Sequence, residues 1–357
     1  MRVVFDVTPL SHPRTGVGNY LRGALTGLAE ASGAEDEIVA FALTNPRGRR
    51  TIRTEISEAD VEERLPAAPL AHAWRTLWSR LGRPPAERLA GRFDVLHFSD
   101  WWYPPQREGV RTTTVHDLVP LRFPEWTTRR TRSMHGAKYR NAARTCDVIF
   151  ANSEFTKGEI VSLLGVPAER VRVARPGVEA QFAPEGERAE VGRPYVLTVA
   201  TLEPRKNLGT LQRAHELLES ELALAVAGGA GWGEQPDLAR SGVLELGFVP
   251  HEQLPRLYRG AEAFAFPSRF EGFGMPIVEA MACGVPCVVS SHPSMDEACG
   301  NAAVRADPES PESLAAGIEE ALARREELVA LGLEQARRFR WVDAGRIMLA
   351  GYREAAA

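Results

Sequence analysis

The sequence predicts an α/β protein made of two doubly wound domains, and three observations carry the prediction. Short apolar runs alternate with longer amphipathic stretches along most of the chain, the pattern of parallel strands covered by helices. A length of 357 residues fits two domains of ordinary size better than one. Between the halves lies EAQFAPEGERAEVGR, residues 179–193, poor in large apolar side chains and rich in charge, Gly and Pro, which reads as an interdomain linker.

In the first half, residues 3–7 read as a strand, 8–18 as a loop and 19–30 as an amphipathic helix. A strand at 38–43 precedes a polar, arginine-containing segment, a helix over 70–81 and another near Ala86. Short strands follow at 95–98, 112–116 and 148–151. Asn152 and Ser153 are good caps for a helix over 154–164, and a strand at 171–174 closes the half. In the second half the strands are 195–200, 222–227, 243–247, 263–266 and 287–290. Helices over 208–219, 251–260 and 276–282 separate them, and helices dominate after Pro311. With no short-period repeat, the expected architecture is two similar domains, 1–178 and 194–340, facing each other across a cleft.

Hydrophobic residues make up 44% and charged residues 25%, enough for two cores, and no apolar run approaches the roughly 20 residues that span a bilayer. The N-terminus MRVVFDVTPL reads as a strand rather than a signal peptide, and four cysteines without an export signal point to a reduced, cytoplasmic protein. The net charge of -4 divides unevenly: residues 1–178 carry +6 and residues 179–357 carry -10. The first half is thus the one expected to meet an anionic partner or surface. Nucleic acid is not expected, because the whole chain is acidic and has no recognised binding motif.

The stretch PSRFEGFGMPIVEAMACGVP, residues 267–286, sets Glu271 and Glu279 eight residues apart across a glycine turn and a helix start. Gly272 and Gly274 loosen the turn, Pro276 suits a first helical position and Gly284 can end the helix. Ligands of open parallel sheets bind at the carboxyl ends of strands, and a helix start favours anions, so a phosphorylated ligand is expected here. In Thr201-Leu202-Glu203-Pro204-Arg205-Lys206-Asn207, two adjacent cations stand at a helix start, where they oppose the helix dipole unless an anion compensates them. A diphosphate is one such anion; an exposed charge pair is the alternative.

Gly16, Val17 and Gly18 follow the first strand and open a helix, but Leu21 stands where a dinucleotide fingerprint has its third glycine and no acid ends the second strand. Backbone N–H groups facing a phosphate and a simple chain reversal both remain open. His116, followed by Asp117, sits at a strand end and is expected to face the cleft and a sugar, with Asp117 orienting it. His97 is its rival, and Trp101, Trp102 and Tyr103 form a loop suited to stacking on a sugar or apolar acceptor. Cys283, Cys287, His292 and Cys299 match no zinc spacing and are expected to be buried, and no D-x-D triplet is present to hold a divalent ion, so a metal-independent mechanism is expected. Residues 122–144 carry seven basic side chains against the single acid Glu125, which fits either contact with an anionic membrane or acceptor, or a solvated helix face.

EPRKN at 203–207, GFV at 247–249, VHDLVPLRFPEW at 115–126 and the 267–286 stretch together resemble glycosyltransferase family 4, over residues 1–352. That resemblance implies the GT-B fold, retention of configuration and a nucleoside diphosphate sugar as donor. It also implies that residues 341–357 hold a last helix returning to the first domain. It casts Glu279 on the ribose hydroxyls, Glu271 at the donor sugar, Arg205 and Lys206 on the diphosphate with Gly16, Val17 and Gly18 facing it, and His116 near the sugar. The backbone of Phe273, Gly274, Met275, Pro276 and Ile277 would form the donor loop, and Phe248 and Val249 would meet the base. No metal cofactor is implied. The donor leans to GDP-mannose, and the acceptor is a glycan, a lipid-linked sugar or another hydroxyl, met around 44–92 and 101–105. A sugar-nucleotide epimerase of the same fold, or a catalytically idle nucleotide-sugar binder, are the alternatives.

Overall fold

The computed structural model describes residues 1–12, 15–99, 102–229, 231 and 242–357. Two compact units are formed: Met1–Arg122, Thr128–Gly177 and Arg340–Ala357 make the first, Phe123–Thr127 and Val178–Phe339 the second.

In the first unit the chain runs β1 (Arg2–Asp6), α1 (Gly16–Ala31), β2 (Glu37–Phe41), α2 (Pro46–Glu55), β3 (Glu62–Arg64), α3 (Ala71–Leu81), α4 (Glu87–Ala90) and β4 (Val95–Phe98). It continues through β5 (Val110–Val115), α5 (Val119–Arg122), α6 (Arg129–Thr145), β6 (Val148–Ala151), α7 (Glu154–Leu164) and β7 (Val171–Val173). Among the described residues these strands form one parallel sheet in the order β3-β2-β1-β4-β5-β6-β7. The central strands are covered on both faces, which is why Val3, Val4, Phe5, Val95, Leu96 and Phe98 are all buried and read as apolar runs, interrupted in β4 by the buried His97.

The second unit holds β8 (Tyr195–Val199), α8 (Leu208–Glu216), β9 (Ala223–Ala227), β10 (Val243–Gly247), α9 (Leu254–Gly260), β11 (Ala263–Phe266) and α10 (Met275–Ala282). Then come β12 (Cys287–Ser290), α11 (Asp296–Cys299), β13 (Ala303–Ala306), α12 (Pro311–Ala323) and α13 (Arg325–Ala336). Its parallel sheet runs β10-β9-β8-β11-β12-β13. The first strand of each unit lies mid-sheet and the order reverses beside it, at β1/β4 and at β8/β11, the topological switch points where such sheets bind ligands.

The last helix, α14 (Trp341–Ala356), belongs to the first unit and crosses α1 at a distance only glycine allows. A Cβ on Gly345 would stand 2.0 Å from the Gly27 carbonyl oxygen, and one on Gly23 would overlap the Trp341 ring.

Several elements differ from the sequence expectation. α1 starts at Gly16 rather than Asn19, because the Thr15 Oγ1 caps it by accepting from the Gly18 N–H at 3.3 Å. β3, sequence EER, carries no apolar signal; it is an edge strand held by its ladder to Val39, Ala40 and Phe41 and by the Arg2–Glu62 ion pair at 3.0 Å. α2 is carried by its Asn45 cap and the single apolar contact of Ile52. Most of the basic segment forms α6, with its inner side made by Gly136, Lys138, Tyr139 and Ala142. β13 adds an edge strand beside β12. In the 179–193 stretch Phe182 is buried in the core of the second unit. No described helix is long and apolar enough to cross a membrane.

Candidate active site

Neighbouring strands β8 and β11 bring two distant loops together at the switch point of the second unit. The loop after β8 forms a 3-10 turn, Pro204–Lys206, and the loop after β11 carries Ser268 and Glu271. The Glu271 carboxylate accepts from Arg205 Nη1 at 2.7 Å, Lys206 Nζ at 2.6 Å and Ser268 Oγ at 2.6 Å. Arg205 also donates to the Phe270 carbonyl at 3.1 Å, and its Nη2 pairs with Glu203 at 3.0 Å, whose Oε1 accepts from Thr201 Oγ1 at 2.7 Å. The Glu271 amide is held in turn by Ser294 Oγ at 3.1 Å.

Burial alone would push the Glu271 carboxyl up, but the Arg205 and Lys206 cations and their hydrogen bonds hold it down at about 2, so it is ionised at neutral pH. Burial and then Arg205 push the Lys206 ammonium down, against the pull of Glu271 and Glu203. The compensating anion that two cations beside a helix start require is therefore built into the fold. With two cations and two carboxylates, the cluster presents a rigid array of N–H donors rather than a bare positive patch.

Three residues after Glu271, Gly274 stands before α10 with φ +96°, and a Cβ there would meet Ile277 Cδ1 at 2.8 Å. The helix opens at Met275 with Pro276 second, and no side chain caps its first turn. Ile277 is fully buried, its N–H bonded to the Gly274 carbonyl at 3.0 Å. Phe273 is buried and packs its ring edge-on against Phe339 in the core. Glu279 lies one turn into α10, buried, its Oε2 accepting from Tyr258 OH at 2.9 Å. Burial and then the Glu279 charge push the Tyr258 phenol up, keeping it a neutral donor. Phe248 is 59% exposed and Val249 half-buried after β10.

In the first unit, His116 follows β5 with its ring edge-on to Tyr20 and its Nε2 buried without a hydrogen-bond partner. Burial, then Lys138, then His135 push it down to about 3, so it is a neutral imidazole. Lys138 is buried beside it, Nζ 3.3 Å from the Thr114 carbonyl. Asp117, expected to orient His116, accepts from the Val119 N–H at 3.1 Å and so starts α5. His97, the rival, is a core residue: its ring stacks on Phe5, and its nitrogens bond Thr114 Oγ1 at 3.1 Å and Tyr352 OH at 2.9 Å. Gly16 is exposed and Val17 half-buried at the start of α1, while the Gly18 N–H expected to face a phosphate is taken by Thr15. Trp101 lies outside the described residues, and Trp102 is buried against Trp78 rather than offered to a ligand.

Sequence reasoning missed Tyr258, Ser268, Ser294 and Lys138. Ser268, three residues from Glu271, was open to a local argument; the others approach across strands and leave no spacing signal. All four cysteines are buried free thiols, and no group of three or more His, Cys, Asp or Glu among the described residues is arranged to hold a metal ion.

Comparison with known proteins follows the same division. A family model described as Glycosyltransferase Family 4 matches residues 14–182, and one described as Glycosyl transferases group 1 matches residues 180–338. The O-antigen chain mannosyltransferase B of Escherichia coli is 31% identical over 371 residues, 96% of each chain. Among solved structures, the Anabaena protein HepE in complex with UDP and glucose matches with a TM-score of 0.70 at 17% identity, over 98% of both chains. Sucrose-phosphate synthase from Thermosynechococcus elongatus matches with a TM-score of 0.71 at 19% identity, over 99% of this chain and 98% of that one. These two likenesses concern the fold.

Proposed function

This chain belongs to glycosyltransferase family 4, with the GT-B fold, and on that premise we propose that it moves mannose from GDP-mannose to a hydroxyl of a growing glycan or lipid-linked acceptor, retaining configuration and without a metal ion. The observation that carries this reading is the Arg205, Lys206 and Glu271 cluster beside the uncapped start of α10. Its donors and the helix start suit a diphosphate whose negative charge grows as it leaves, and would stabilise that charge as a divalent ion does in other enzymes. The O-antigen mannosyltransferase likeness supports mannose, and the neighbour solved with UDP and glucose supports a nucleoside diphosphate sugar.

In this reading Arg205 and Lys206 bind the diphosphate, Glu271 positions both cations and borders the sugar, and Glu279, oriented by Tyr258, takes the ribose hydroxyls. The backbone of Phe273, Gly274, Met275, Pro276 and Ile277 meets the donor, Phe248 and Val249 meet the base, and Gly16 and Val17 add backbone N–H groups. His116, neutral and with Nε2 unpartnered, hydrogen-bonds a sugar hydroxyl. The C1–O bond to the diphosphate breaks, the acceptor oxygen bonds C1 on the same face, and the departing phosphate oxygen takes the acceptor proton. Glu271, locked between two cations, is a poor nucleophile. The enzyme would work at the cytoplasmic face of an anionic membrane that presents its acceptor.

Thermal-shift screening against nucleotide sugars, followed by release of nucleoside diphosphate with and without acceptor, tests this. GDP-mannose should give the largest shift and release should require acceptor. Release unaffected by acceptor, or donor change without release, would refute transfer. Treatment with EDTA should leave the rate intact, and its loss would refute the metal-free mechanism.

A further inference from the structure

The segment Phe123-Pro124-Glu125-Trp126-Thr127 joins α5 to α6, both of the first unit, yet its own five residues belong to the second unit. Pro124–Trp126 form a 3-10 turn in which the Trp126 N–H bonds the Phe123 carbonyl at 3.1 Å and the Thr127 N–H bonds the Pro124 carbonyl at 3.3 Å. Pro124 fixes the first φ of the turn, and side chains three apart in a 3-10 turn eclipse each other. Phe123 and Trp126 therefore lie on one side and stack, with ring centres 4.1 Å apart and planes at 19°. The turn is not required to start α6, which Thr128 caps by accepting from the Thr131 N–H at 3.1 Å.

The stacked pair meets the loop that carries Glu271. The Phe123 ring stands edge-on to the buried ring of Phe270, centres 5.1 Å apart, and the Phe270 ring is also 5.5 Å from that of His292. Phe270 is thus held by two rings while its backbone serves the site: its carbonyl accepts from Arg205 Nη1 at 3.1 Å, and the next residue is Glu271. The contact with His292 leads to the same place, since His292 Nδ1 lies 2.9 Å from Ser294 Oγ, which accepts from the Glu271 N–H at 3.1 Å. On the other side of Phe270 in the chain, the Arg269 N–H bonds the Arg205 carbonyl at 2.8 Å.

We propose that Phe123 and Trp126 are positioning residues for the donor site: their stack wedges Phe270, so that its carbonyl and the Glu271 carboxylate hold the Arg205 guanidinium at the diphosphate. Arg205 is a long side chain, and its donors stabilise a leaving diphosphate only while they are held in place before the reaction. Such holding comes from neighbours whose own rotamers are locked by packing, which is what Phe123 and His292 do for Phe270. An aromatic pair of this geometry is worth about two- to tenfold in an equilibrium constant. The inference rests on the proposed function in giving the cluster a diphosphate, and it adds to the site two side chains from the first half of the sequence.

Nucleotide calorimetry and amide hydrogen exchange on the full chain test it. Phe123→Ala should weaken binding of GDP, which carries the charge of the departing diphosphate, about three- to tenfold, and Phe123→Tyr, which keeps the ring, should restore wild-type affinity. In an Arg205→Ala background Phe123→Ala should cost less than about twofold further, because the ring acts through Arg205. Phe123→Ala should also raise exchange of the Arg269 and Glu271 amides about threefold or more, leaving those of β8 and β9 at wild-type rates. Trp126→Ala should give changes of the same sign and serves where Phe123→Ala does not fold. Unchanged exchange at the two loop amides, a rise spread over the whole second unit, or nucleotide losses that add in the double variant would each overturn the proposal. UDP is titrated in parallel: wild type that binds neither nucleotide refutes the donor reading, and the exchange result then decides the role of Phe123 alone.

Discussion

Replacing Glu271 with glutamine keeps the shape of the side chain and removes the charge around which Arg205 and Lys206 are arranged. The carboxyl titrates at about 2 instead of 4.5. At 1.36 kcal/mol per pH unit, that difference contributes about 3 kcal/mol of folding free energy. The sign follows from the direction: a depressed carboxyl stabilises fully above its unfolded value of 4.5, and the contribution fades as pH falls toward 2. Glutamine mimics the protonated acid, so Glu271→Gln should lose about 3 kcal/mol at pH 7, and the gap to wild type should narrow to roughly half by pH 3. For a unit of this size the melting temperature should drop about 6–12 °C at pH 7. Denaturant titration of both proteins at pH 7, 4 and 3 is the assay. Equal stability at pH 7, or a gap that stays constant down to pH 3, would refute the claim that this carboxylate is held by its two cations.

Three further expectations concern Glu279 with Tyr258, Arg205, and His135. Glu279→Ala should weaken nucleotide binding at least about tenfold, and Tyr258→Phe, which removes a hydrogen bond to a charged group worth about 1.5–3 kcal/mol, should weaken it in the same direction; calorimetry showing wild-type affinity in both would count against their role. Arg205→Ala should lower kcat more than it raises KM, since the cation acts on charge that grows in the transition state, and a pure KM effect would contradict that. Burial and then Lys138 push His135 down to about 4, so the unfolded chain binds its proton first and stability falls by about 1.4 kcal/mol per pH unit between 6.5 and 4. His135→Gln should therefore make the acid branch of the stability curve shallower, and an unchanged slope would show that this imidazole does not titrate differently on folding.

How much of the molecule was legible in the sequence follows from what each feature depends on. Buried parallel strands such as Val148–Ala151 and Ala263–Phe266 announce themselves, because both of their faces must be apolar. The edge strand Glu62–Arg64 does not, because one ladder and ion pairs to Arg2 and Arg53 hold it without any apolar face. Among the histidines, His97 and His116 look alike in sequence, each at a strand end. Tyr352 decided between them, by reaching His97 from the last helix, 255 residues away, while His116 keeps an unpartnered nitrogen.

The sequence by itself determined the fold class, the family resemblance and the identity of the charged groups at the turn of residues 267–286, because strand and helix periodicities and the motifs EPRKN and PSRFEGFGMPIVEAMACGVP are local properties. Only the tertiary structure decided how those groups are joined. Glu271 is about 65 residues from Arg205 and Lys206, and they meet because β8 and β11 are neighbours in the sheet. The tertiary structure also decided which face of α3 is left in solvent, since the apolar pattern of residues 70–81 serves a core and a surface stripe equally well. Strand order and helix rotation are set by the burial of the whole core, which no window of the sequence contains.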